Sequence, residues 1–115
     1  MRPFASVETP VRPEIDFGAA QDEDLLSDTP WNVVLLDDDH HTYQYVVEML
    51  MEIFGYSEEK AFQMTVEVDT RKRVIVWSGH LERAEAYLEA IHDYGPDWRM
   101  ESSLGSMSAR LEKAR

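Results

Sequence analysis

The fold is decided by one stretch, Trp31-Asn-Val-Val-Leu-Leu-Asp-Asp-Asp-His-His-Thr-Tyr-Gln-Tyr-Val-Val47. Its first part is a short apolar run bounded by proline and aspartate, which predicts a buried strand at residues 31–36. An unbroken apolar run indicates burial on both faces, or a short strand central in its sheet. Three carboxylates, two histidines and Thr42 follow at once. We therefore expect the strand to end in a polar turn beside the start of a helix.

Apolar residues at helical spacing predict three helices further along the chain. The first runs from Tyr43 to Phe54, with Thr42 as its N-cap and Gly55 in a left-handed position at its end. The second covers residues 57–69, with the serine as its N-cap, and packs on the first as a helical hairpin. The third spans about residues 80–94. The side chains predicted to face the core are Val46, Met49, Leu50, Ile53, Phe54, Ala61, Met64, Thr65, Val68, Leu81, Ala84, Leu88 and Ile91.

The remaining strands come from shorter signals. Residues 70–73 are interpreted as a basic, solubilising turn, followed by a second strand, Val74–Trp77, that Ser78-Gly79 ends. The segment 98–111 alternates weakly and is predicted to hold one or two short strands that close the sheet. The resulting β-α-α-β-α-β order predicts an α+β fold, a small α/β sandwich with a three-stranded, mostly antiparallel sheet packed against helices.

Length and composition predict one core domain behind a tail. The chain has 115 residues, and residues 30–115 carry the helical and strand patterns. Residues 1–29 are rich in proline and acids and poor in aliphatics, which predicts a disordered acidic extension. The alternative for this extension is an arm that docks on a partner through Phe4 or Leu25-Leu26.

The charge balance excludes several classes of partner. The chain has 23 acidic and 11 basic residues, a formal net charge of −12, which argues against nucleic acid and against anionic membranes. There is no cysteine, no stretch approaching a membrane span and no secretory signal, so we expect a cytoplasmic protein. No cofactor is expected, and we expect a monomer.

The acidic turn, Asp37, Asp38 and Asp39 followed by His40 and His41, allows several interpretations. A metal site is disfavoured because adjacent residues point in different directions and no second ligand pair has a suitable spacing. Paired carboxylates for glycoside hydrolysis need a deep cleft, which a small domain can hardly provide. A solvated turn that caps the helix dipole accounts for one aspartate but less well for three, because like charges repel. We favour capture of a cation, an amino terminus in particular.

Three stretches of the chain resemble the ClpS family: residues 33–39, the helix at 45–54 with the following Gly55-Tyr56, and Ala61-Phe-Gln-Met64. The resemblance covers about residues 31–94 with a closing segment at 111–114. It implies a non-enzymatic adaptor that delivers N-degron substrates to the Clp protease through the N-terminal domain of its ATPase chaperone. In that family an acidic turn holds the α-ammonium of the substrate, and an adjacent apolar pocket holds its first side chain.

The resemblance also assigns candidate site residues. It places the ammonium site at Asp37, Asp38 and Asp39, and the side-chain pocket at His41, Thr42, Tyr43, Val46, Thr65, Val68 and Asp69. Five of these depart from the family pattern. Asp37 stands where the family has asparagine, His41 where it has threonine, Tyr43 and Thr65 where it has methionine, and Asp69 where it has histidine. The departures predict an acidic pocket with unusual side-chain selection.

A second candidate surface lies on the third helix. There Glu82 and Glu85 match acidic positions near which the chaperone docks, although a solvated helix face explains them equally well. By the same resemblance, the acidic tail engages the region of the ATPase pore. Two alternatives stay open at this point: a divergent ClpS-like domain that binds the chaperone or another partner without N-degron recognition, and a metal-dependent hydrolase that uses the turn at residues 37–41.

Overall fold

The computed structural model describes residues 29–114. The predicted extension therefore lies outside the described residues, apart from Thr29. The elements are β1 (Trp31–Leu36), α1 (Tyr43–Phe54), α2 (Glu58–Arg71), β2 (Arg73–Gly79), α3 (Leu81–His92) and β3 (Ala109–Lys113). Their β-α-α-β-α-β order is the predicted one.

The sheet has the strand order β2-β1-β3, and both pairings are antiparallel. The apolar strand β1 is central, as its unbroken apolar run predicts. Val33 pairs with Trp77 on one side and with Leu111 on the other, and a bulge after Val33 shifts the pairing so that Val34 faces Ile75. The α+β fold class is confirmed.

The two faces of the sheet are covered differently. The core on one side joins β1 and β2 residues to the inward faces of all three helices. On the other side, Arg73 from β2 donates two hydrogen bonds to the Glu112 carboxylate from β3, at 3.0 and 2.7 Å. These strands flank β1, so the ion pair crosses over the central strand. This contact lowers the pKa of Glu112.

The predicted core agrees closely with the observed one. The predicted inward residues that are fully or almost fully buried are Val46, Met49, Leu50, Ala61, Thr65, Val68, Leu81, Ala84, Leu88 and Ile91. Ile53, Phe54 and Met64 are partly buried and pack against this cluster. Thr42 caps α1, since its hydroxyl accepts from the Tyr45 amide at 3.1 Å. Gly55 ends α1 in the left-handed conformation, with φ 73°.

Several element boundaries were predicted wrongly. The helix α2 continues to Arg71, two residues beyond the prediction, and Lys72 ends it with φ 73°. The predicted turn at residues 70–73 is wrong for three of its residues, because Thr70 and Arg71 lie in α2 and Arg73 lies in β2. Lys72 is largely exposed, with its ammonium 3.4 Å from Asp37. The prediction of one or two closing strands in the segment 98–111 is confirmed for one strand, β3, which begins at Ala109 and runs two residues beyond the predicted segment, to Lys113.

The strand β2 also extends through Ser78 and Gly79, which were predicted to break it. Gly79 pairs with Trp31 at the end of the ladder. A Cβ at Gly79 would lie 2.2 Å from the indole ring of Trp77, so the missing side chain makes room for that ring. The glycine therefore serves packing within the strand and does not end it.

No helix within residues 29–114 is long and apolar enough to cross a membrane.

We expect Gly79→Ala to lower the free energy of unfolding by about 1–3 kcal/mol, because the new methyl group overlaps the Trp77 ring. The matched control is Gly105→Ala, whose Cβ meets nothing within 4 Å and which should change stability by less than about 0.5 kcal/mol. Urea unfolding monitored by circular dichroism measures both. The double variant with Trp77→Leu should recover part of the loss, and additivity of the two changes would contradict the overlap.

Candidate functional site: an acidic pocket at the end of the central strand

A pocket of about 50 Å³ lies where β1 ends, between the following turn, α1 and α2. The chain segment that precedes β3 completes it. The lining residues are Asp37, Asp38, His41, Tyr43, Val46, Thr65, Val68, Asp69 and Met107. All of them except Met107 are site residues proposed from the sequence. Residues from four separate parts of the chain therefore meet in one cavity.

The floor of this pocket is apolar. Val46, Val68 and Met107 are buried, each with 3% or less of its surface exposed. Thr65 is also buried, and its hydroxyl donates to the Ala61 carbonyl at 2.8 Å, inside α2. That bond occupies the only donor of the side chain, so the threonine does not offer a hydrogen to a ligand.

The mouth of the pocket is polar and open to solvent. Tyr43 is 41% exposed, and Asp69 is exposed beside it. The Tyr43 hydroxyl donates to Asp69 Oδ2 at 2.5 Å. This hydrogen bond raises the pKa of Tyr43. The phenol therefore stays protonated and links α1 to α2 at the mouth.

Asp38 is held in place by two neighbouring residues. Its Oδ1 accepts from the backbone amide of His40 at 2.8 Å, and His41 Nδ1 lies 2.8 and 3.0 Å from its two oxygens. The other ring nitrogen of His41 lies 2.8 Å from the Gly105 carbonyl oxygen. The Ser103 hydroxyl lies 3.1 Å from the same Nε2. The His41 side chain, 4% exposed, therefore bridges Asp38 to the loop that carries Ser103 and Gly105.

The other two lining carboxylates also have partners. Lys72 Nζ lies 3.4 Å from Asp37 Oδ2, but the lysine side chain is largely exposed, so solvent weakens this pair. Asp69 accepts from Tyr43, as described above. The sequence interpretation relied on a ligand to neutralise the acidic turn. The structure instead supplies part of that neutralisation internally, through Lys72, and His41 adds hydrogen bonds to Asp38.

Two of the residues proposed from the sequence do not line the pocket. Asp39 is exposed next to it. Thr42 caps α1, and its backbone amide and hydroxyl both donate to Asp97 Oδ2, at 2.7 and 2.8 Å. Thr42 therefore orients the turn without contacting the cavity.

Asp97 was not recognised from the sequence. It is buried, with 1% of its surface exposed, and it also accepts from the backbone amide and the guanidinium of Arg99. Burial by itself would raise the pKa of Asp97, but the hydrogen bonds from Thr42 and Arg99 outweigh it and hold the pKa at about 2. Asp97 thereby ties the loop at residues 93–108 to the start of α1. Its only local signal is a turn-forming Gly-Pro-Asp sequence.

The same loop supplies Met107, which was also missed. Met107 is an isolated apolar residue between serines, a pattern that does not indicate a pocket wall. The loop is fixed a second time by Tyr45, whose hydroxyl donates to the Gly95 carbonyl at 2.6 Å. Together these contacts hold the loop against the acidic turn.

Glu82 and Glu85 lie on α3, which contributes no residue to the pocket lining. Glu82 is exposed in the first turn of the helix, and Glu85 is half-buried. Within residues 29–114, no group of three or more histidine or acidic side chains is placed to hold a metal ion.

Comparison with known proteins finds one family. A family model described as "ATP-dependent Clp protease adaptor protein ClpS" matches residues 27–97. A ClpS adapter protein from Streptomyces coelicolor is 34% identical over 68 residues, which cover 59% of this chain and 71% of the relative. One from Rhodococcus jostii is 31% identical over 72 residues, covering 63% and 64%. The structure of Agrobacterium tumefaciens ClpS2 bound to L-phenylalaninamide has a TM-score of 0.66 at 18% identity, covering 76% of this chain and all of that one, and so shares the fold.

We expect Asp97→Asn to lower the free energy of unfolding at pH 7 by about 2 kcal/mol, because the amide loses the charge that the bonds from Thr42 and Arg99 stabilise. The folded-state pKa of Asp97, about 2, lies below its ordinary value of 3.8. The unfolded chain therefore binds more protons between these values. The stabilisation is complete above about pH 4 and is lost as the pH falls through 2.

Urea unfolding at pH 7, 4 and 2.5 tests this expectation. The difference between wild type and Asp97→Asn should shrink toward the lowest pH. Asp93→Asn, an exposed aspartate of the same loop, is the matched control and should have little effect. A difference between wild type and Asp97→Asn that is independent of pH would contradict the role of the Asp97 charge.

Proposed function

The chain belongs to the ClpS family, the adaptors of the ATP-dependent Clp protease. We propose that it binds the N-terminal residue of N-degron substrates and delivers these substrates to the ATPase chaperone of that protease. One observation carries the proposal: a cavity with an apolar floor opens beside Asp37, Asp38 and Asp69. An α-ammonium carries one positive charge and three donors, which suit several converging carboxylate acceptors. The side chain of the same first residue needs an apolar recess directly beside these carboxylates.

A solved relative supports the choice of ligand. The Agrobacterium ClpS2 is bound to L-phenylalaninamide, an amino acid amide with a free amino group and an apolar side chain. In this chain, Asp38 is the acceptor best fixed in orientation, because His40 and His41 hold it from one side. Asp37 is the one whose present partner a competing cation displaces more easily, because Lys72 is largely exposed and lies 3.4 Å away.

The size of the pocket determines which side chain the first residue of a substrate can have. By the space that one water molecule needs, about 50 Å³ accommodates roughly four non-hydrogen atoms. An isobutyl or sec-butyl group fits this limit, whereas an aromatic side chain requires Tyr43 and Asp69 to move apart. Thr65 is smaller than the methionine of the family pattern and leaves room for branching near the backbone. The preferred first residues are therefore leucine and isoleucine.

The rest of the adaptor role needs no catalysis by this chain. The relatives are named adapter proteins, and the proposed role is to bind a substrate and transfer it to the chaperone. We assign chaperone contact to the acidic face of α3 around Glu82 and Glu85. The site of action is the cytoplasm, where the chaperone acts.

A second candidate function is favoured by a specific observation. Each lining carboxylate already has an internal partner: Lys72 for Asp37, His41 for Asp38 and Tyr43 for Asp69. A pocket whose carboxylates are already paired suits a ClpS-like domain that binds the chaperone without binding N-degrons. Capture of the chaperone's N-terminal domain, together with no binding of any free-amine peptide, would select this alternative.

We expect Asp38→Asn to weaken binding of a leucine-first peptide at least tenfold, because a charge-assisted hydrogen bond to the ammonium becomes a neutral one. Fluorescence anisotropy with labelled peptides beginning with leucine, isoleucine, phenylalanine and methionine gives the Kd values. Wild type should bind leucine and isoleucine more tightly than phenylalanine.

Glu67→Gln removes an exposed charge from α2 outside the pocket and serves as the matched control, with binding unchanged. Asp39→Asn tests whether the exposed third aspartate takes part. An N-acetylated leucine peptide should not bind. Equal Kd values for the acetylated and free peptides, or for wild type and Asp38→Asn, would refute the proposal.

A further inference from the structure

Beside the pocket, the outer faces of α1 and α2 form an open groove of about 420 Å³. Its lining residues are Tyr43, Gln44, Val47, Glu48, Met51, Glu58 and Phe62. Within residues 29–114, six large apolar or aromatic side chains are exposed, and Tyr43, Met51 and Phe62 are three of them. Such clustering distinguishes an interaction surface from the scattered apolar residues that any protein surface carries.

Tyr43 joins the groove to the pocket. Its hydroxyl binds Asp69 at the mouth of the pocket, while its ring meets Phe62 of the groove edge to face, with centroids 6.0 Å apart. Tyr43 lines both cavities and separates them. When the first residue of a peptide occupies the pocket, the following residues therefore pass over the Tyr43 ring and enter the groove.

We propose that the groove binds the residues of the substrate that directly follow its first residue, an inference that rests on the proposed function above. Tyr43 and Met51 are eight residues apart on α1, a distance of about 12 Å along the helix. An extended chain covers that distance with roughly three or four residues. The groove thus takes about the second to the fifth residue of the substrate.

The chemistry of the groove specifies what these residues are. Its base is apolar, with Met51 and Phe62 exposed and Val47 half-buried. Two carboxylates border it. Arg99 neutralises Glu48 at 2.9 and 3.0 Å, whereas Glu58 has no cationic partner within residues 29–114. The groove accordingly favours an apolar or aromatic side chain with a lysine or arginine next to it, placed to pair with Glu58.

The test uses three probes that share their first residue: leucinamide, the peptide Leu-Gly-Ser-Gly-Ser, and the peptide Leu-Lys-Phe-Lys-Ser. Their Kd values are measured by isothermal titration calorimetry with wild type, Phe62→Ala and Met51→Ser. Ile75→Ala is the matched control, because Ile75 is as exposed as Phe62 but lies on β2, outside the groove. Met51→Ser leaves Tyr43 untouched, so it separates groove contacts from any disturbance of the pocket.

We expect wild type to bind the Lys-Phe-Lys peptide about tenfold more tightly than the glycine-serine peptide. Phe62→Ala and Met51→Ser should each remove most of this difference and leave leucinamide binding unchanged, while Ile75→Ala changes nothing. Equal binding of the two peptides by wild type overturns the inference but keeps the proposed function, provided that leucinamide binds. Failure of all three probes to bind wild type overturns both.

Discussion

The site depends on one buried carboxylate, Asp97. Two hydrogen bonds from Thr42 fix the N-cap of α1, and two from Arg99 fix the loop in which Asp97 lies. Without these bonds the loop would still be linked to α1 by the Arg99–Glu48 ion pair and by Tyr45, but its contact with the start of the helix, and with it the position of Met107 in the pocket floor, would be less firmly fixed. The negative charge also complements the positive end of the α1 dipole, which adds a favourable interaction at a buried position. Stability and the shape of the site are thus coupled through a single side chain that does not contact the ligand cavity.

Electrostatics then set how the pocket works. The chain carries a formal net charge of −12, yet the carboxylates that line the pocket are individually partnered. A cation that enters must exchange with Lys72 or share Asp38 with His41. The proposed ammonium therefore gains less than three free aspartates would offer, and the apolar contacts of its own chain matter correspondingly more. This balance gives the exposed groove beside Tyr43 its importance.

Local sequence signals predicted what is local in the fold. The N-cap at Thr42, the left-handed Gly55 and the apolar strand β1 each follow from a few neighbouring residues, and the structure agrees at each one. The prediction that Gly79 ends β2 was wrong, because this glycine makes room for the Trp77 ring. That packing relation is not visible from the general tendency of glycine to interrupt strands. Asp97 and Met107 were missed because the residues that give them their place in the site, Thr42 for Asp97 and the turn and helix residues of the pocket for Met107, lie more than 35 residues away in the chain. The family resemblance supplied the pocket residues on the turn and the hairpin, but not those on the loop beyond them.

The bulged, doubly paired strand β1 has one more consequence. The acidic turn extends from a strand held on both sides, whereas the wall formed by Thr65, Val68 and Asp69 belongs to α2. In the proposed function, amine capture therefore depends mainly on the turn that follows β1, whereas side-chain selection depends in part on α2. Under that proposal, substitutions at Thr65 and Val68 retune which first residues are accepted while Asp37 and Asp38 keep their places. A small set of helix positions is then the natural starting point for redesigning the domain toward another N-terminal residue.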